Sequence, residues 1–257
     1  EEFAETLRYF ARRIEVTGVD LRLGTRVNAQ DLMAGRYDEV VIATGVTPRD
    51  PRIDGDDAER QSGRLLSYVD VLLHRRPVGR RVAIVGAGGI GFDVAEYLVT
   101  GEHSTATDVQ AWMAEWGVAD PATARGGLAP QRIEPAARQV YLLQRKASPL
   151  GKGLGKTTGW IHRAALRMKR VEMIGGVNYD RVDERGLHVS FGPAREKPTL
   201  IEVDTVVLCA GQEPLRELAA PLEAAGVRTH LIGGADVAAE LDAKRAIDQG
   251  VRLAAGL

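Results

Sequence analysis

The chain of 257 residues has little that points to disulfide, metal-cluster or membrane chemistry. Its single cysteine, Cys209, excludes a disulfide framework and a cysteine-ligated metal or iron–sulfur site within the chain. No apolar run approaches the roughly 20 residues that a bilayer span requires. A formal net charge of −1 implies neither nucleic acid nor a membrane surface as a partner. We therefore expect an ordinary globular protein in a reducing, cytoplasmic setting.

The N-terminal segment is acidic, begins without a methionine and has no signal-peptide pattern, so we expect it to come from the middle of a longer protein. Apolar residues at helical spacing predict a helix over residues 1–16. The alternation in Val19–Leu23 predicts a strand. The apolar run at 40–43 is typical of a strand that is buried on both faces.

Further along the chain, strands and helices alternate, which predicts an α/β, doubly wound fold. Residues 101–138 are rich in small residues, and we interpret them as an inserted excursion with a helical patch at 109–116. The predicted strands cover residues 81–85, 139–144, 171–175, 178–183, 187–191, 200–203, 204–210 and 230–234. The predicted helices cover 67–74, 89–99, 157–168 and 238–253.

A glycine motif follows the strand at 81–85 and opens the next helix. Gly86, Gly88 and Gly91 form G-x-G-x-x-G in the strand-to-helix context that makes this motif informative. Gly86 lets the strand turn sharply, Gly88 lets the backbone approach a pyrophosphate, and Gly91 lets the helix pack closely on the sheet. The phosphate charge would then meet free N–H groups at the helix start. The alternative is a glycine-rich turn without a ligand.

The end of the next strand selects between the two nicotinamide dinucleotides. An acid at this position usually binds the ribose 2′-hydroxyl of NAD, whereas an arginine accommodates the 2′-phosphate of NADP. Here the strand ends in Gln144-Arg145-Lys146, which contains no acid and favours NADPH over NADH. The excursion makes the spacing from Gly91 longer than usual, and a solvated basic strand end is the alternative.

A second glycine-rich segment, residues 151–157, lacks the first glycine of a P-loop because that position holds Leu150. We interpret the segment as a glycine loop before a helix. Its Lys152 and Lys156, with Arg163 beyond it, either add positive charge near the 2′-phosphate or are simple surface charge.

No pattern in the sequence indicates a metal site or a catalytic acid, base or nucleophile. Cys209 has no second cysteine with which to form a redox dithiol. The histidines have no metal-ligand spacing, and we expect them on the surface or in helices: His74, His103, His162, His188 and His230. The tryptophans, Trp112, Trp116 and Trp160, are expected to pack rather than to act as stacking platforms.

Several long strings resemble bacterial NADPH-dependent 2,4-dienoyl-CoA reductase, and the resemblance covers essentially the whole chain. They are residues 2–19, 82–93, 144–148, 153–163, 209–214 and 230–234. The resemblance implies the C-terminal part of a multidomain flavoprotein, with a Rossmann-type NADPH domain at 76–212 inserted into a truncated FAD-binding domain at 1–75 and 213–257. It also implies an N-terminal barrel domain of the same protein that holds FMN, a 4Fe–4S cluster and the substrate site.

The resemblance carries cofactor contacts onto matching positions. Those for NADPH are Gly86, Gly88, Gly89, Ile90, Gly91, Arg145, Lys146 and Arg163. Those at the strand ends and in the FAD-binding part are Ala43, Thr44, Gly45, Gly211, Gly234 and Asp236. Asp236 would bind the ribityl chain of the flavin, and a helix N-cap is its alternative role.

The family pattern also contains parts that this chain does not, namely the first FAD strand and helix, the barrel and the cluster cysteines. We expect the chain alone to bind FAD weakly or not at all, and not to reduce a dienoyl-CoA. Its implied step is hydride transfer from NADPH to FAD, in which the protein orients the nicotinamide. The alternatives are a sister flavoprotein, either an enoate reductase or an amine dehydrogenase, or a dinucleotide-binding domain without turnover of its own. The excursion could also dock a partner.

Overall fold

The structure, a computed structural model, describes residues 3–101, 105, 108–239 and 243–257. Two compact units divide the chain. The smaller is formed by Glu1–Gly45 with Pro214–Leu257, and the larger by Val46–Glu213. No helix in the described ranges has the length and apolarity needed to cross a membrane.

A five-stranded, wholly parallel sheet forms the centre of the larger unit, in the order β3-β10-β4-β5-β6. Its strands are β3 (Leu65–Ser67), β4 (Arg81–Val85), β5 (Gln139–Gln144), β6 (Glu172–Gly175) and β10 (Thr205–Leu208). All four residues of β10 are buried, as are residues 82–85 of β4. Such continuous apolar runs are typical of parallel strands that are covered on both faces.

Successive side chains of β4 enter two different cores because strand side chains alternate between faces. Val82 and Ile84 pack with α4 (Tyr68–Leu72), α5 (Gly89–Val99) and α7 (Gly159–Met168). Ala83 and Val85 pack on the opposite side with an antiparallel sheet. Its strands are β7 (Val177–Asp183), β8 (Gly186–Phe191) and β9 (Glu196–Glu202).

The excursion is folded and closed at its base. The Ala137 N–H donates to the Val99 carbonyl at 3.0 Å. Its helix α6 (Val109–Trp116) begins at Asp108, whose side chain accepts from the Ala111 N–H, and ends at Gly117. The larger unit also contains β2 (Val46–Pro48), α3 (Asp56–Ser62) and β11 (Gln212–Pro214), which pairs with β2.

The smaller unit has a two-stranded parallel sheet, in which β1 (Val40–Ile42) pairs with β12 (Thr229–Leu231). Val40 and Ile42 pack with Leu222 and Ala235 in a small core. The helices of this unit are α1 (Phe3–Thr17), α2 (Ala29–Ala34), α8 (Ala219–Ala224) and α9 (Ala243–Gly256).

Two expectations for the first half of the chain need correction. Val19–Leu23 is not a strand, and its apolar residues are more than half exposed, because alternation forms a strand only where a partner strand is present. β1 is not buried on both faces, since Val41 is 42% exposed in a sheet of only two strands.

A half-buried ion pair joins α3 to the residue that precedes β3. Glu59 is 6% exposed, and the Arg64 guanidinium donates to its two carboxylate oxygens at 2.5 and 3.3 Å. The hydrogen bond from Arg64 is the main reason that the pKa of Glu59 lies below its usual value, and the Ser62 hydroxyl also donates to it. The ionised carboxylate is therefore the form that stabilises the fold.

We expect Arg64→Ala to lower the free energy of unfolding by about 2 kcal/mol at neutral pH, because it leaves a carboxylate in a buried position without its cation. The pair stabilises the fold above about pH 4.3, the usual pKa of glutamate, and its contribution is lost as the pH falls through the lowered pKa. Urea unfolding at pH 7 and at pH 3 checks this, and the variant and the wild type should differ less at pH 3 than at pH 7. Arg12→Ala, which breaks an exposed pair with Glu15, is the control and should change little. A loss of equal size at both pH values would contradict the assignment.

Candidate functional site

The glycine turn between β4 and α5 lies at the carboxyl end of the parallel sheet. Gly86 has a φ of +113°, which a residue with a Cβ rarely adopts. Its N–H donates to the Leu143 carbonyl at 2.9 Å, and a Cβ on it would collide with the Cys209 carbonyl. The turn is thus wedged between the ends of the two strands that flank β4.

Close packing fixes the start of α5 against that turn. A Cβ at Gly91 would collide with the Gly86 carbonyl oxygen and contact Leu142. Gly91 is buried, and the neighbouring Ile90 packs on the helical core. Glycine at this position therefore sets how closely the first turn of α5 approaches the strand.

Among the described residues, the first N–H groups of α5 have no hydrogen-bond acceptor. Gly88 is the N-cap, so no side chain caps the helix, and the first turn contains no acid. A Cβ built on Gly88 or Gly89 would meet no protein atom within 4 Å. This open cradle has the geometry and the positive helix end that a pyrophosphate requires.

Two cations follow at the end of β5. Arg145 and Lys146 are exposed, and neither side chain makes an ion pair or a hydrogen bond in the part of the chain that the structure describes. Gln144 shapes their backbone, because its amide donates to the carbonyl of Lys146 at 2.9 Å and to that of Ser148. Two unpaired cations at the strand end next to the glycine turn suit a phosphate monoester.

The glycine loop that follows is held by the third predicted cation. The Arg163 guanidinium donates to the Gly151 carbonyl at 3.0 Å, so part of its hydrogen-bonding capacity holds this loop. A Cβ on Gly151 would crowd Phe92 and Leu154. Lys152 and Lys156 are exposed on the same loop and have no partner among the described residues.

Tyr179, which was not predicted as a site residue, contacts the end of β5 beside the glycine turn. Its hydroxyl donates to the Leu143 carbonyl at 3.1 Å, and this carbonyl also accepts the Gly86 N–H. Burial raises the pKa of Tyr179 above its usual value, while the charge of Arg145 acts to lower it. The phenol therefore stays protonated, and its hydrogen bond links β7 to the carbonyl that also holds the glycine turn.

Asp93 was also missed, although an acid two residues after Gly91 was visible in the sequence. Partial burial raises the pKa of its carboxyl, and the charge of His162 opposes the rise. Burial, with a contribution from Asp93, raises the pKa of the Cys209 thiol to about 12. Cys209 is thus an inert, protonated thiol at the end of β10.

Gly211 follows directly after this strand end, with a φ of +105°. The Arg49 N–H donates to its carbonyl at 3.0 Å, and the Arg49 guanidinium donates to the Ala210 carbonyl. Arg49 therefore fixes the turn that leaves β10.

In the smaller unit, the predicted contacts fall at the ends of β1 and β12. Ala43, Thr44 and Gly45 follow β1, where the Thr44 hydroxyl donates to the Leu215 carbonyl and the Leu215 N–H donates to the Gly45 carbonyl at 3.0 Å. Gly234 lies in a short 3₁₀ turn that Asp236 ends. The turn that follows β1 and the turn that follows β12 both lie near the carboxyl ends of these two paired strands.

One side chain of α9 orients Asp236. Gln249 donates to the Asp236 carboxylate at 2.8 Å and accepts the Gly233 N–H at 2.7 Å. Since residues 237–239 are not helical and α9 begins at Ala243, Asp236 is not the N-cap of that helix. Sequence analysis did not find Gln249.

The remaining predictions concern aromatic and titratable residues. None of the three tryptophans is buried: Trp112 and Trp160 are 44% and 58% exposed, and Trp112 stacks on Trp116. Trp116 is half-buried in α6, whereas Trp160 is exposed near the start of α7. Three histidines, His162, His188 and His230, each pair with a carboxylate. His103 lies outside the described residues. Within those residues, no three acidic, histidine or cysteine side chains form a group able to hold a metal ion.

A parallel sheet with an open, glycine-lined helix start at its carboxyl edge defines a Rossmann-type dinucleotide-binding domain. The sequence matches the pyridine nucleotide-disulphide oxidoreductase family over residues 4–247, and the chain belongs to this family. This confirms the expected α/β fold and the class of flavin oxidoreductase domains that bind FAD and NAD(P)H. Although the family is named for disulphide oxidoreductases, this chain has a single cysteine and therefore cannot form a dithiol of its own.

Two curated relatives are similar over part of the chain. A cinnamate reductase from Clostridium sporogenes is 30% identical over 105 residues, which are 40% of this chain and 15% of that protein. A bilirubin reductase from Mediterraneibacter gnavus is 31% identical over 97 residues, which are 38% of this chain and 14% of that protein. The matched region is thus a small part of each relative.

Two solved structures share the fold. A 2-naphthoyl-CoA reductase in complex with 2-naphthoyl-CoA has a TM-score of 0.74 at 23% identity, covering 98% of this chain and 32% of its own. The thioredoxin reductase of T. acidophilum has a TM-score of 0.55 at 14% identity, covering 84% of this chain and 63% of its own.

Proposed function

We propose that this chain is the portion of a 2,4-dienoyl-CoA reductase that transfers hydride from NADPH to FAD, in the oxidation of unsaturated fatty acids. One observation carries the proposal: the open glycine cradle at α5 is followed, at the end of the adjacent strand, by unpaired Arg145 and Lys146 and no acid. The cradle supports a dinucleotide, and the cations support its 2′-phosphorylated form.

The residues of the larger unit fit this cofactor. The free N–H groups at the start of α5 would bind the pyrophosphate, and Arg145 and Lys146 would bind the 2′-phosphate. Arg163 and Gln144 hold the neighbouring loops in place through backbone carbonyls. When bound, NADPH supplies a hydride and FAD accepts it, and neither step needs a protein acid or base.

The smaller unit supplies groups that suit a flavin. Gln249 holds one oxygen of the Asp236 carboxylate and the Gly233 N–H. Asp236 keeps a second oxygen that could accept a hydrogen bond from a ribityl hydroxyl. We further propose that the electrons leave toward a 4Fe–4S cluster and FMN in an N-terminal barrel domain of the same protein, since the single cysteine of this chain cannot ligate a cluster.

The alternative is the same electron-entry role in an enoate reductase, which the similarity to cinnamate reductase favours. In both cases the reducing equivalents enter at the glycine cradle and the substrate site lies elsewhere. The two candidates differ in what finally accepts the electrons, a dienoyl thioester or a free enoate.

Anaerobic spectroscopy of the full-length protein tests the proposal. We expect NADPH to bleach the flavin absorbance at least tenfold faster than equimolar NADH, because the two strand-end cations favour the extra phosphate. A 2,4-dienoyl-CoA should then restore the absorbance. Restoration by cinnamate, but not by the dienoyl-CoA, would favour the enoate reductase. Bleaching by an amine and not by NADPH would overturn both candidates.

A further inference from the structure

A second cavity in the larger unit lies apart from the glycine cradle. It has a volume of about 530 Å³ and is enclosed by α6, the carboxyl-terminal half of α5, one face of α7 and the segment around residues 132–134. Ligand sites for small molecules typically have volumes of about 300–1,000 Å³. None of the residues that line it belongs to the cradle or to the cations at the end of β5.

Helix α6 of the excursion forms one wall of this cavity. α6 carries two tryptophans but buries none of its residues, so its apolar face stands away from α5 and α7. Trp112 and Trp116 lie one turn apart, with ring centroids 6.1 Å apart and planes at 29°. The two indole rings stack on each other and together give this wall an apolar lining, against which an aromatic ring can pack.

Ion pairs hold this wall to the rest of the unit. Lys169 contacts Glu115 at 2.9 Å, with both side chains only 15% exposed, and also donates to the Glu134 carbonyl at 3.1 Å. The Thr105 hydroxyl donates to Glu115 at 3.1 Å. Because these groups satisfy one another, they keep the cavity open and do not themselves call for a ligand.

Three polar groups that line the cavity remain available. His162 contacts Glu96 through Nδ1 at 2.7 Å, so its Nε2 is left without a hydrogen bond among the described residues. The Arg132 guanidinium and the Glu134 carboxylate likewise make no side-chain contact in the described ranges. Arg132 and Glu134 are two positions apart, so their Cα atoms lie within about 7 Å of each other.

From this arrangement we propose that the cavity binds a free aromatic amino acid. Its ring would lie on the indole wall, its carboxylate would bind Arg132, and its ammonium would bind Glu134. One unpaired charge of each sign matches a zwitterion better than it matches a simple acid or amine. The Nε2 of His162 would make a hydrogen bond with a ring N–H or hydroxyl, which favours tryptophan or tyrosine over phenylalanine. This site is independent of the dinucleotide function.

Isothermal titration calorimetry of the full chain tests the site with three probes. We expect L-tryptophan to bind, and indole-3-propionate and tryptamine to bind at least about tenfold more weakly, because each lacks one charged partner. Arg132→Gln should weaken L-tryptophan about tenfold and leave tryptamine unchanged. Glu134→Gln should weaken L-tryptophan similarly and leave indole-3-propionate unchanged.

Arg125→Gln provides a matched control, because Arg125 is exposed on the same excursion and does not line the cavity. This variant should bind L-tryptophan as the wild type does, and all variants should keep the wild-type unfolding temperature. No heat with millimolar L-tryptophan would overturn the proposal. Equal affinity for all three probes, or loss in Arg125→Gln equal to that in Arg132→Gln, would overturn it as well.

Discussion

Replacing Arg145 and Lys146 together by alanine should weaken NADPH binding by about 100-fold and leave NADH binding within about twofold. The double variant removes two charge-assisted hydrogen bonds to the 2′-phosphate, each worth roughly 1.5 kcal/mol or more. NADH has no such phosphate, so its contacts at the glycine cradle are unaffected. Calorimetric titration of both dinucleotides measures the change.

Arg167→Ala is the control for lost positive charge. Arg167 is an exposed cation in the last turn of α7, away from the end of β5. This variant should bind both dinucleotides normally. Equal weakening of NADPH and NADH in the double variant would show that the two residues act through the fold and not through the phosphate.

Gly91→Ala should destabilise the protein by roughly 3 kcal/mol and abolish measurable dinucleotide binding, because the added Cβ meets the Gly86 carbonyl. The first turn of α5 then has to move away from β4, and the cradle loses its shape. Thermal unfolding and dinucleotide titration on the same sample measure both effects.

Gly88→Ala separates the loss of stability from the loss of dinucleotide binding. Its Cβ would point into space without protein atoms, and its φ of −81° is an ordinary value for alanine. We expect an unchanged unfolding temperature and at least about tenfold weaker dinucleotide binding, since the methyl group would occupy space needed by the pyrophosphate. Unchanged binding would show that the phosphates lie elsewhere.

Elements with strong local signals were predictable from the sequence. β4, the glycine turn and α5 follow one another within residues 81–99, so periodicity and glycine spacing were sufficient. α6 lies where the helical patch was predicted, and in the structure Asp108 caps its start and Gly117 ends it. The glycines of the candidate site lie in the first of these patterns, and the two cations follow β5, which was predicted at its actual bounds.

Short elements were not predictable in the same way. β2, β3 and β11 have three residues each, too few to show a period, and depend on partner strands that are distant in the sequence. α2 was missed although it has a signal, the capping box of Asn28 and Asp31.

Two site residues that were not predicted, Tyr179 and Gln249, were missed for a different reason. Tyr179 contacts Leu143 across 36 positions of sequence. Gln249 reaches Asp236 only because α9 packs on the 3₁₀ turn that contains Gly233. Such contacts are set by tertiary packing, and neither residue type stands out in the sequence.

The hydrogen bond between Val99 and Ala137 has an engineering consequence. Because the two ends of the excursion already meet, the stretch between them can be exchanged without changing how α5 enters β5. This junction is therefore a natural graft point for a reporter domain or a designed receptor loop. A module placed there would follow the C-terminus of α5, the helix whose N-terminus lies at the glycine turn.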